Sequence, residues 1–361
     1  MKKHQTIFLL ALWGALALWA WFVPSGQLSE AERRPLAQKP AFSVETLFSG
    51  KFRTDFESYS LDQFPLRDGF RTLKSLFHTR VLGQKDNNGI YLTEGTAVKQ
   101  EYPLNTDSVN HAIGRFQKLY DKYLTESRCF YAIVPDKGYY LARESGHLAI
   151  DYDALYAQMA AGMPWAKEID LRPALTGQDY YCTDTHWRQE ALIPAASALC
   201  GGLGVTAPKA EDFLLTALER PFYGVYYGQA ALPMEPETMY LLESDLLDDC
   251  RVYDYESGQY TDVYNMDKLT SRDLYEVFLS GPRSLLTIEN PHATTDRELI
   301  IFRDSFGSAI APLLVTDYAK VTLVDIRYIQ IDVLARFLDF HGQDVLLLYS
   351  TSVLNNSQTI K

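Results

Sequence analysis

The sequence predicts an α/β fold in which a three-layer domain is built on a parallel sheet with helices on both faces. Short apolar runs rich in β-branched and aromatic residues predict buried strands, and they alternate with segments of helical periodicity. Such alternation is typical of a parallel sheet that is covered on both faces. It breaks off between residues 204 and 296, which predicts an α+β insertion, and then resumes. The predicted strands are residues 129–135, 168–171, 298–302, 320–326 and 344–349.

The N-terminal segment predicts one transmembrane helix. No formally charged residue occurs between Lys3 and Glu30, and residues 7–23 form a dense apolar block. About 20 apolar residues suffice to cross a bilayer as a helix. Basic residues before the block and acidic residues after it orient the N-terminus inward and the body outward. A cleaved signal peptide is the alternative, but the block is long and Trp-rich and lacks a small-x-small cleavage site. The sequence therefore predicts a single-pass cell-membrane protein with an extracytoplasmic body.

These features divide the chain into five regions. Aromatic stripes between the anchor and the main domain predict amphipathic helices that pack on that domain, because such stripes usually belong to a core. The tyrosine-rich insertion could stack on sugar rings, although its aromatic residues more often form a small core of their own. The predicted regions are 1–28 (cytoplasmic tip and anchor), 29–104 (juxtamembrane helical region), 105–203 (first part of the main domain), 204–296 (insertion) and 297–361 (second part).

Composition excludes several classes of function. The formal net charge of −12 makes nucleic acid and anionic lipid poor partners, since both select basic surfaces. It does not argue against a neutral glycan. The four cysteines include no CxxC pair, which excludes a zinc ribbon or a thioredoxin motif.

A serine stands where a predicted strand gives way to a helix. The apolar run 298–302 ends at Arg303-Asp304-Ser305, and residues 308–315 can start a helix. A serine on such a turn faces solvent, near the free N–H groups of the new helix. Acyl chemistry requires its nucleophile in this environment. The alternative is that these residues only cap the helix, which is the commoner use of Asp and Ser.

A second polar loop carries a carboxylate and an imidazole. Asp184 and His186 precede a helical run over residues 187–203. Together with Ser305, they supply the three side chains of a Ser-His-Asp triad. Asp-x-His also begins some two-metal phosphoesterase sites, but such sites need further ligand clusters, and the other histidines are scattered singly. We therefore expect a triad and no metal.

Other candidates lie where predicted strands end. Ligands of open α/β sheets bind beyond the carboxyl ends of the strands. Right-handed crossovers place the turn after residues 320–326 on the same edge of the sheet as Ser305. An arginine on such a turn is more often part of a surface ion pair. The candidate substrate-binding residues are Arg327, Tyr328, Trp187 and Lys137.

Three motifs together resemble one known family, the DHHW family of bacterial surface proteins. They also resemble its relatives, the alginate O-acetylation proteins AlgX and AlgJ, whose catalytic domain is SGNH-hydrolase-like with a circularly permuted order. In that order the Asp-x-His motif precedes the serine, as it does here. The resemblance covers most of the exported body. The motifs are Asp184-Thr185-His186-Trp187, Arg303-Asp304-Ser305-Phe306-Gly307 and Asp325-Ile326-Arg327-Tyr328.

The resemblance implies roles for the triad. Ser305 would be the nucleophile, His186 the base and Asp184 the residue that orients it. The chain departs from the pattern at Thr185, where the family name has His, and at Arg303, where hydrolase relatives have Gly. Neither departure replaces a triad residue. The Gly and Asn oxyanion donors of the hydrolases have no clear counterpart, and the amides at positions 355 and 356 are weak candidates.

The implied activity is O-acetylation of a cell-surface or exported polysaccharide through an acyl-serine intermediate. With water as the acceptor, the same triad would make a carbohydrate esterase. A third reading is a non-catalytic glycan-binding or assembly protein with a vestigial triad. The implied partners are a polysaccharide acceptor, a membrane-bound acyltransferase as donor and the membrane itself, without nucleic acid or a cofactor.

Overall fold

The computed structural model divides the chain into two compact units. It describes residues 2–22, 24–29 and 31–361. One unit comprises Met1–Asn88 and Tyr227–Met234, and the other comprises Gly89–Tyr226 and Glu235–Lys361. The division at residue 88 lies ahead of the expected boundary at residue 104. The packing of the juxtamembrane helices on the main domain stays a prediction.

The first unit is mostly helical. The guanidinium of Arg34 donates two hydrogen bonds, of 2.7 and 2.6 Å, to Asp62. Arg67 lies 2.6 Å from the carboxylate of Glu32, so ion pairs tie the extended N-terminal chain to two helices. Its elements are α1 (Lys2–Phe22), β1 (Leu28–Ser29), β2 (Arg34–Pro35), α2 (Val44–Phe48), α3 (Lys51–Asp62) and α4 (Arg67–Leu76).

The predicted transmembrane helix is not supported. The N-terminal segment does form the helix α1. Over the described residues, however, no helix combines the length and the apolar character that crossing a membrane requires.

The second unit carries the α/β domain. Its buried strands arise where the sequence has apolar runs, and its helices begin at polar caps such as Asp136, Asp151 and Ser350. From Gly89 onward the elements are β3 (Ile90–Thr93), β4 (Thr96–Lys99), α5 (Thr106–Leu119), β5 (Arg128–Val134), α6 (Lys137–Leu141), α7 (Tyr152–Gly162), β6 (Lys167–Glu168), α8 (Ile193–Leu203), β7 (Leu214–Ala217), α9 (Val225–Ala230), β8 (Tyr240–Glu243), α10 (Asp245–Asp249), β9 (Arg251–Asp254), β10 (Gln259–Thr261), β11 (Leu285–Glu289), β12 (Glu298–Arg303), α11 (Gly307–Ile310), β13 (Lys320–Val324), β14 (Asp344–Ser350) and α12 (Thr351–Asn355).

One eight-stranded sheet organises this unit, in the order β10-β9-β11-β13-β12-β14-β5-β6. The five strands from β13 to β6 are parallel. The other three pair antiparallel. The sheet is therefore mixed and mostly parallel, rather than wholly parallel as predicted. The reason is that the predicted insertion does not merely cover the sheet, since its strands β9, β10 and β11 extend one edge.

Cores lie on both faces of the sheet. Alternate residues of β12 point to opposite faces, so that Leu299 and Ile301 enter one core while Ile300 and Phe302 enter the other. Helix α8 packs in the first core, and helices α5 and α7 pack in the second. The three-layer arrangement brings the carboxyl ends of β12, β13 and β14 to one edge of the sheet, because these strands are parallel neighbours.

Candidate active site

The turn after β12 presents Ser305. Its shape is fixed by Asp304, whose Oδ1 accepts from Phe306 N at 3.1 Å and whose Oδ2 accepts from Ser350 N at 2.8 Å. Asp304 and Phe306 are buried, whereas Ser305 is half-buried and keeps some exposure. The predicted helix over residues 308–315 forms as α11 followed by a 3-10 helix, Ala311–Leu314. Asp304 thus serves the backbone of the turn, and the serine hydroxyl remains available.

The 181–186 loop presents the other two members of the expected triad. Tyr181 N donates to His186 O at 3.0 Å, which closes the loop. Asp184 Oδ1 accepts from His186 N at 3.0 Å and lies 2.6 Å from His186 Nδ1. The carboxylate therefore fixes both the backbone and the ring of the histidine two residues further on.

The structure brings Ser305 to this pair. His186 Nε2 lies 2.8 Å from Ser305 Oγ, so that one hydrogen-bonded chain connects Asp184, His186 and Ser305. Asp184 is fully buried, and His186 is 8% exposed. A buried carboxylate on Nδ1 favours the tautomer whose Nε2 accepts a proton from the serine. The arrangement can generate an activated serine oxygen.

Two residues of the predicted insertion hold Asp184 from the other side. Val225 N donates to Asp184 Oδ2 at 2.7 Å, and Gly224 N donates to Thr183 Oγ1 at 2.9 Å. A Cβ atom at Gly224 would lie 2.3 Å from both Asp184 Cβ and Thr183 O. Only glycine allows so close an approach, and the insertion can therefore reach the carboxylate.

A glutamate clamps the start of the same loop. Glu237 Oε1 accepts from Cys182 N at 2.7 Å. Glu237 Oε2 accepts from the N–H and the hydroxyl of Thr183, each at 2.7 Å. Thr185, which stands where the family name has His, accepts a 3.0 Å hydrogen bond from Tyr226 OH. Together with Val225 on Asp184, the insertion thus supports the loop at four successive residues, 182–185.

An aromatic pair encloses the imidazole. The ring of Tyr275 stacks on His186 with centroids 4.0 Å apart and planes at 13°. Phe306 lies on a tilted approach with its centroid 5.1 Å from the imidazole. Tyr275 is 4% exposed, so the stacked face of the histidine is shielded from water.

One backbone N–H at the Ser305 turn is left without an acceptor. Phe306 N donates to the side chain of Asp304, and Gly307 N donates to the Asp304 carbonyl oxygen at 3.2 Å. For Ser305 N, no acceptor occurs in the part of the chain that the structure describes. An N–H beside the nucleophilic oxygen has the position of an oxyanion donor. The weak candidates Asn355 and Asn356 bond to other groups of the fold.

Arg303 and Arg327 meet at one carboxylate on the edge of the sheet. Arg327 forms a bidentate pair with Asp325, at 2.9 and 2.6 Å, which raises the pKa of its guanidinium against the opposing effect of burial. Arg303 is fully buried, 3.9 Å from Asp325, and burial lowers its pKa. Arg303, which stands where the hydrolase relatives have Gly, donates to Asp304 O at 3.3 Å and so contacts the backbone of the turn. Tyr328 is 54% exposed beside Arg327, and its role in substrate binding stays a prediction.

Two of the candidate substrate-binding residues lie below the site. Trp187 is fully buried, and its indole N–H donates to Phe306 O at 3.2 Å. Lys137 is 3% exposed, donates to Tyr181 O at 3.0 Å and has its pKa lowered to about 8 by burial. These hydrogen bonds place them against the Ser305 turn and the 181–186 loop, and a role in substrate binding stays a prediction for both.

Sequence reasoning predicted the insertion but not its contacts with the candidate active site. Gly224, Val225, Glu237 and Tyr275 all contact the loop or the imidazole. The available signal was the glycine within an aromatic run, which marks a close backbone approach. Over residues 2–22, 24–29 and 31–361, no three or more His, Cys, Asp or Glu side chains are grouped so as to hold a metal ion.

Comparisons with known proteins agree with the motifs. The family model described as DHHW protein matches residues 150–324. The fold is similar to that of a DHHW family protein from Eubacterium siraeum, at 21% identity and a TM-score of 0.63, over 76% of this chain and 95% of that one. It is also similar to Bacillus cereus PatB1 with a sulfonyl adduct, at 16% identity and a TM-score of 0.59, over 73% of this chain and 95% of that one.

A more distant likeness is to the O-acetyltransferase domain of Pseudomonas putida AlgJ, at 14% identity and a TM-score of 0.45, over 74% of this chain and 92% of that one. No curated protein matches the chain. The resemblance to DHHW proteins that the three motifs predicted is thereby confirmed, in sequence over residues 150–324 and in fold.

Proposed function

We propose that the protein is an O-acyltransferase that carries an acetyl group on Ser305 and delivers it to a hydroxyl of an exported polysaccharide. The observation that carries the proposal is the unbroken chain of hydrogen bonds from Asp184 Oδ1 through His186 to Ser305 Oγ, at 2.6 and 2.8 Å. If Ser305 only capped the helix, a histidine hydrogen-bonded to its hydroxyl would not be required.

The chemistry follows from that geometry. His186 Nε2 takes the proton of Ser305 as its oxygen attacks the acyl carbonyl, and Asp184 stabilises the imidazolium that forms. The same proton passes to the leaving group when the tetrahedral intermediate collapses to the acyl-serine. A sugar hydroxyl then attacks the acyl carbon, His186 takes its proton, and that proton returns to Ser305. General-base help is worth about 10²–10⁴ in rate.

The N–H of Ser305 is our candidate for the oxyanion donor. It is adjacent to the nucleophilic oxygen and has no acceptor among the described residues. One such donor is typically worth about 10²–10³ in turnover, because charge develops on the carbonyl oxygen as the tetrahedral intermediate forms.

Transfer to a sugar, rather than hydrolysis, is supported by the resemblance to alginate O-acetylation proteins. On this proposal the acceptor is a polysaccharide outside the cytoplasm, and the donor is a membrane-bound acyltransferase, because acetyl groups for exported glycans come from inside the cell. The net charge of −12 is compatible with a neutral glycan, which does not select a basic surface.

The first test is hydrolysis of p-nitrophenyl acetate by the full chain, with Ser305→Ala and His186→Ala. The matched control is Ser308→Ala, which removes another buried hydroxyl three residues further on. We expect an acetyl-enzyme in the wild type and in the control, and none in the two triad variants. A serine-directed sulfonyl fluoride should label Ser305 with the same pattern.

The second test adds an oligosaccharide acceptor to the acetyl-enzyme. Appearance of an acetylated oligosaccharide supports the transferase, and release of acetate alone at an unchanged rate makes the protein an esterase. If folded wild-type protein neither forms an acetyl-enzyme nor reacts with the sulfonyl fluoride, the acyl-serine mechanism is wrong.

A further inference from the structure

The stacking of Tyr275 on His186 points to a role for a residue outside the triad. Tyr275 lies on a 3-10 helix, Leu274–Val277, within the predicted insertion. Its ring is nearly parallel to the imidazole, at 13°, with the centroids 4.0 Å apart. Phe278 packs edge-on against Tyr275 at 4.9 Å, which fixes the phenol ring in turn.

The contacts of the imidazole leave little freedom to the ring. Nδ1 bonds to Asp184 and Nε2 bonds to Ser305, so both nitrogens are engaged. Tyr275 covers one face, and Phe306 approaches at a tilt. A rotation of the ring that broke the bond to Ser305 would also have to break the stacking.

The phenol hydroxyl has no part in this arrangement. It is buried and makes no hydrogen bond with the described residues. Burial, together with the negative charges of Asp184, Asp273 and Asp304, raises the pKa of Tyr275 well above its usual value against the opposing effect of the nearby Trp187 side chain, so the ring stays neutral at working pH. A neutral ring presents a negative π face to its neighbour, and such a face attracts a cation more strongly than a neutral imidazole.

We propose that Tyr275 is a positioning residue that keeps His186 aligned with Ser305 and preferentially stabilises the imidazolium formed during acyl transfer. The inference rests on the proposed function, because only proton transfer at Ser305 makes His186 a cation in the transition state. It goes beyond the triad by making the insertion part of the machinery for acid–base catalysis.

Other charged groups surround the same site. Asp184 belongs to the 181–186 loop, Asp304 to the Ser305 turn, Asp273 to the cap of the 3-10 helix, and Lys137 to α6, where it is close enough to Asp184 for the two charges to interact. All four remain in every variant at position 275. Differences between those variants therefore report on the ring at that position.

The experiment compares Tyr275→Phe with Tyr275→Leu in the full chain. Tyr275→Phe keeps the ring and removes only the unbonded hydroxyl, so we expect kcat for p-nitrophenyl acetate within about twofold of wild type. Tyr275→Leu stays apolar and loses the π face, so we expect kcat to fall about tenfold with little change in KM.

A third variant keeps the shape of the ring. Pentafluorophenylalanine at position 275 reverses the polarity of the face while filling the same space, and it should lower kcat for p-nitrophenyl acetate about as far as Tyr275→Leu does. The fluorinated variant also covers the case in which Tyr275→Leu does not fold.

Two results would overturn the inference. One is a wild-type kcat with the fluorinated ring, and the other is equal loss of activity in Tyr275→Phe and Tyr275→Leu. Failure of the proposed function has a different signature, because the wild type itself would then form no acetyl-enzyme.

Discussion

The backbone N–H of Val225 donates a 2.7 Å hydrogen bond to Oδ2 of Asp184, a residue 41 positions earlier in the chain. The other oxygen of Asp184 bonds to His186. Both oxygens of the carboxylate are thus engaged, one by the ring that it orients and one by the insertion. The direction of the carboxylate consequently depends on a segment that contributes none of the three triad residues.

Removing that N–H should slow turnover. Val225 is the first residue of α9, where the fixed φ of proline suits a helix, so Val225→Pro deletes the donor and places its ring Cδ against Asp184 Oδ2. A lost hydrogen bond to a charged group should lower kcat for p-nitrophenyl acetate by about tenfold or more. Val225→Ala keeps the N–H and should remain near wild type. Equal rates for the two folded variants would contradict a role for this hydrogen bond.

Adding one methyl group at Gly224 should damage both stability and activity. Its Cβ would lie 2.3 Å from Thr183 O, so the backbone must move apart. We expect Gly224→Ala to lower the free energy of unfolding by about 1–3 kcal/mol, as overpacking does, and to lower kcat as Asp184 shifts. Gly201→Ala in α8 is the control, because a Cβ atom at Gly201 would meet nothing within 4 Å. Urea denaturation of both variants tests the difference.

Lys137 should make the free energy of unfolding vary with pH in the alkaline range. Burial lowers its pKa from 10.5 to about 8, so the unfolded chain binds more protons than the folded chain between these values. The free energy of unfolding therefore rises with pH in this window, as the cost of burying the ammonium is relieved. Relative to Lys137→Met, the wild type should gain about 3 kcal/mol between pH 8 and 10.5. If urea denaturation showed that the free energies of unfolding of the wild type and of Lys137→Met change equally with pH, this linkage would be excluded.

The four free cysteines should differ in reactivity. Burial raises the pKa of Cys129 and Cys200 to about 12 and that of Cys250 to about 11, which keeps these thiols protonated and unreactive. Cys182 is half-buried. Ellman's reagent should therefore titrate a single thiol quickly in the native protein, and Cys182→Ser should abolish that phase. Fast reaction of a second thiol in the folded Cys182→Ser variant would contradict the burial of the others.

Sequence reasoning predicted the elements whose signal is local. The run Glu298–Arg303 forms a strand because its four central residues are apolar and two of them are β-branched isoleucines, and the serine turn follows at the predicted place. The helix expected from residue 187 begins only at Ile193, because residues Gln189–Ala191 first form a 3-10 turn and proline occupies an early position of α8. A periodicity count does not detect such a delayed start.

Contacts between distant segments could not be predicted in this way. Asp184 and His186 were found through a motif, but their partners Val225 and Tyr275 lie in a stretch without regular periodicity. Likewise, β11 pairs with β13 in antiparallel orientation, with Ile288 opposite Val321. No local sequence pattern in the insertion indicates that pairing. The physical reason is that such contacts depend on how the whole sheet assembles.

The position of β14 has a consequence for how the chain matures. This strand is the last of the sheet along the chain, yet it lies between β12 and β5. Until β14 is in place, β12 and β5 have no strand between them to join the two parts of the sheet. The pairing of β14 with β5 connects residues far apart in sequence, and such contacts form slowly during folding. A partly synthesised chain thus has a serine and a histidine on pieces that are not yet joined. Asp304, which shapes the turn of Ser305, accepts a hydrogen bond from Ser350 N at the end of β14. That turn therefore reaches its final form only when this strand has joined the sheet.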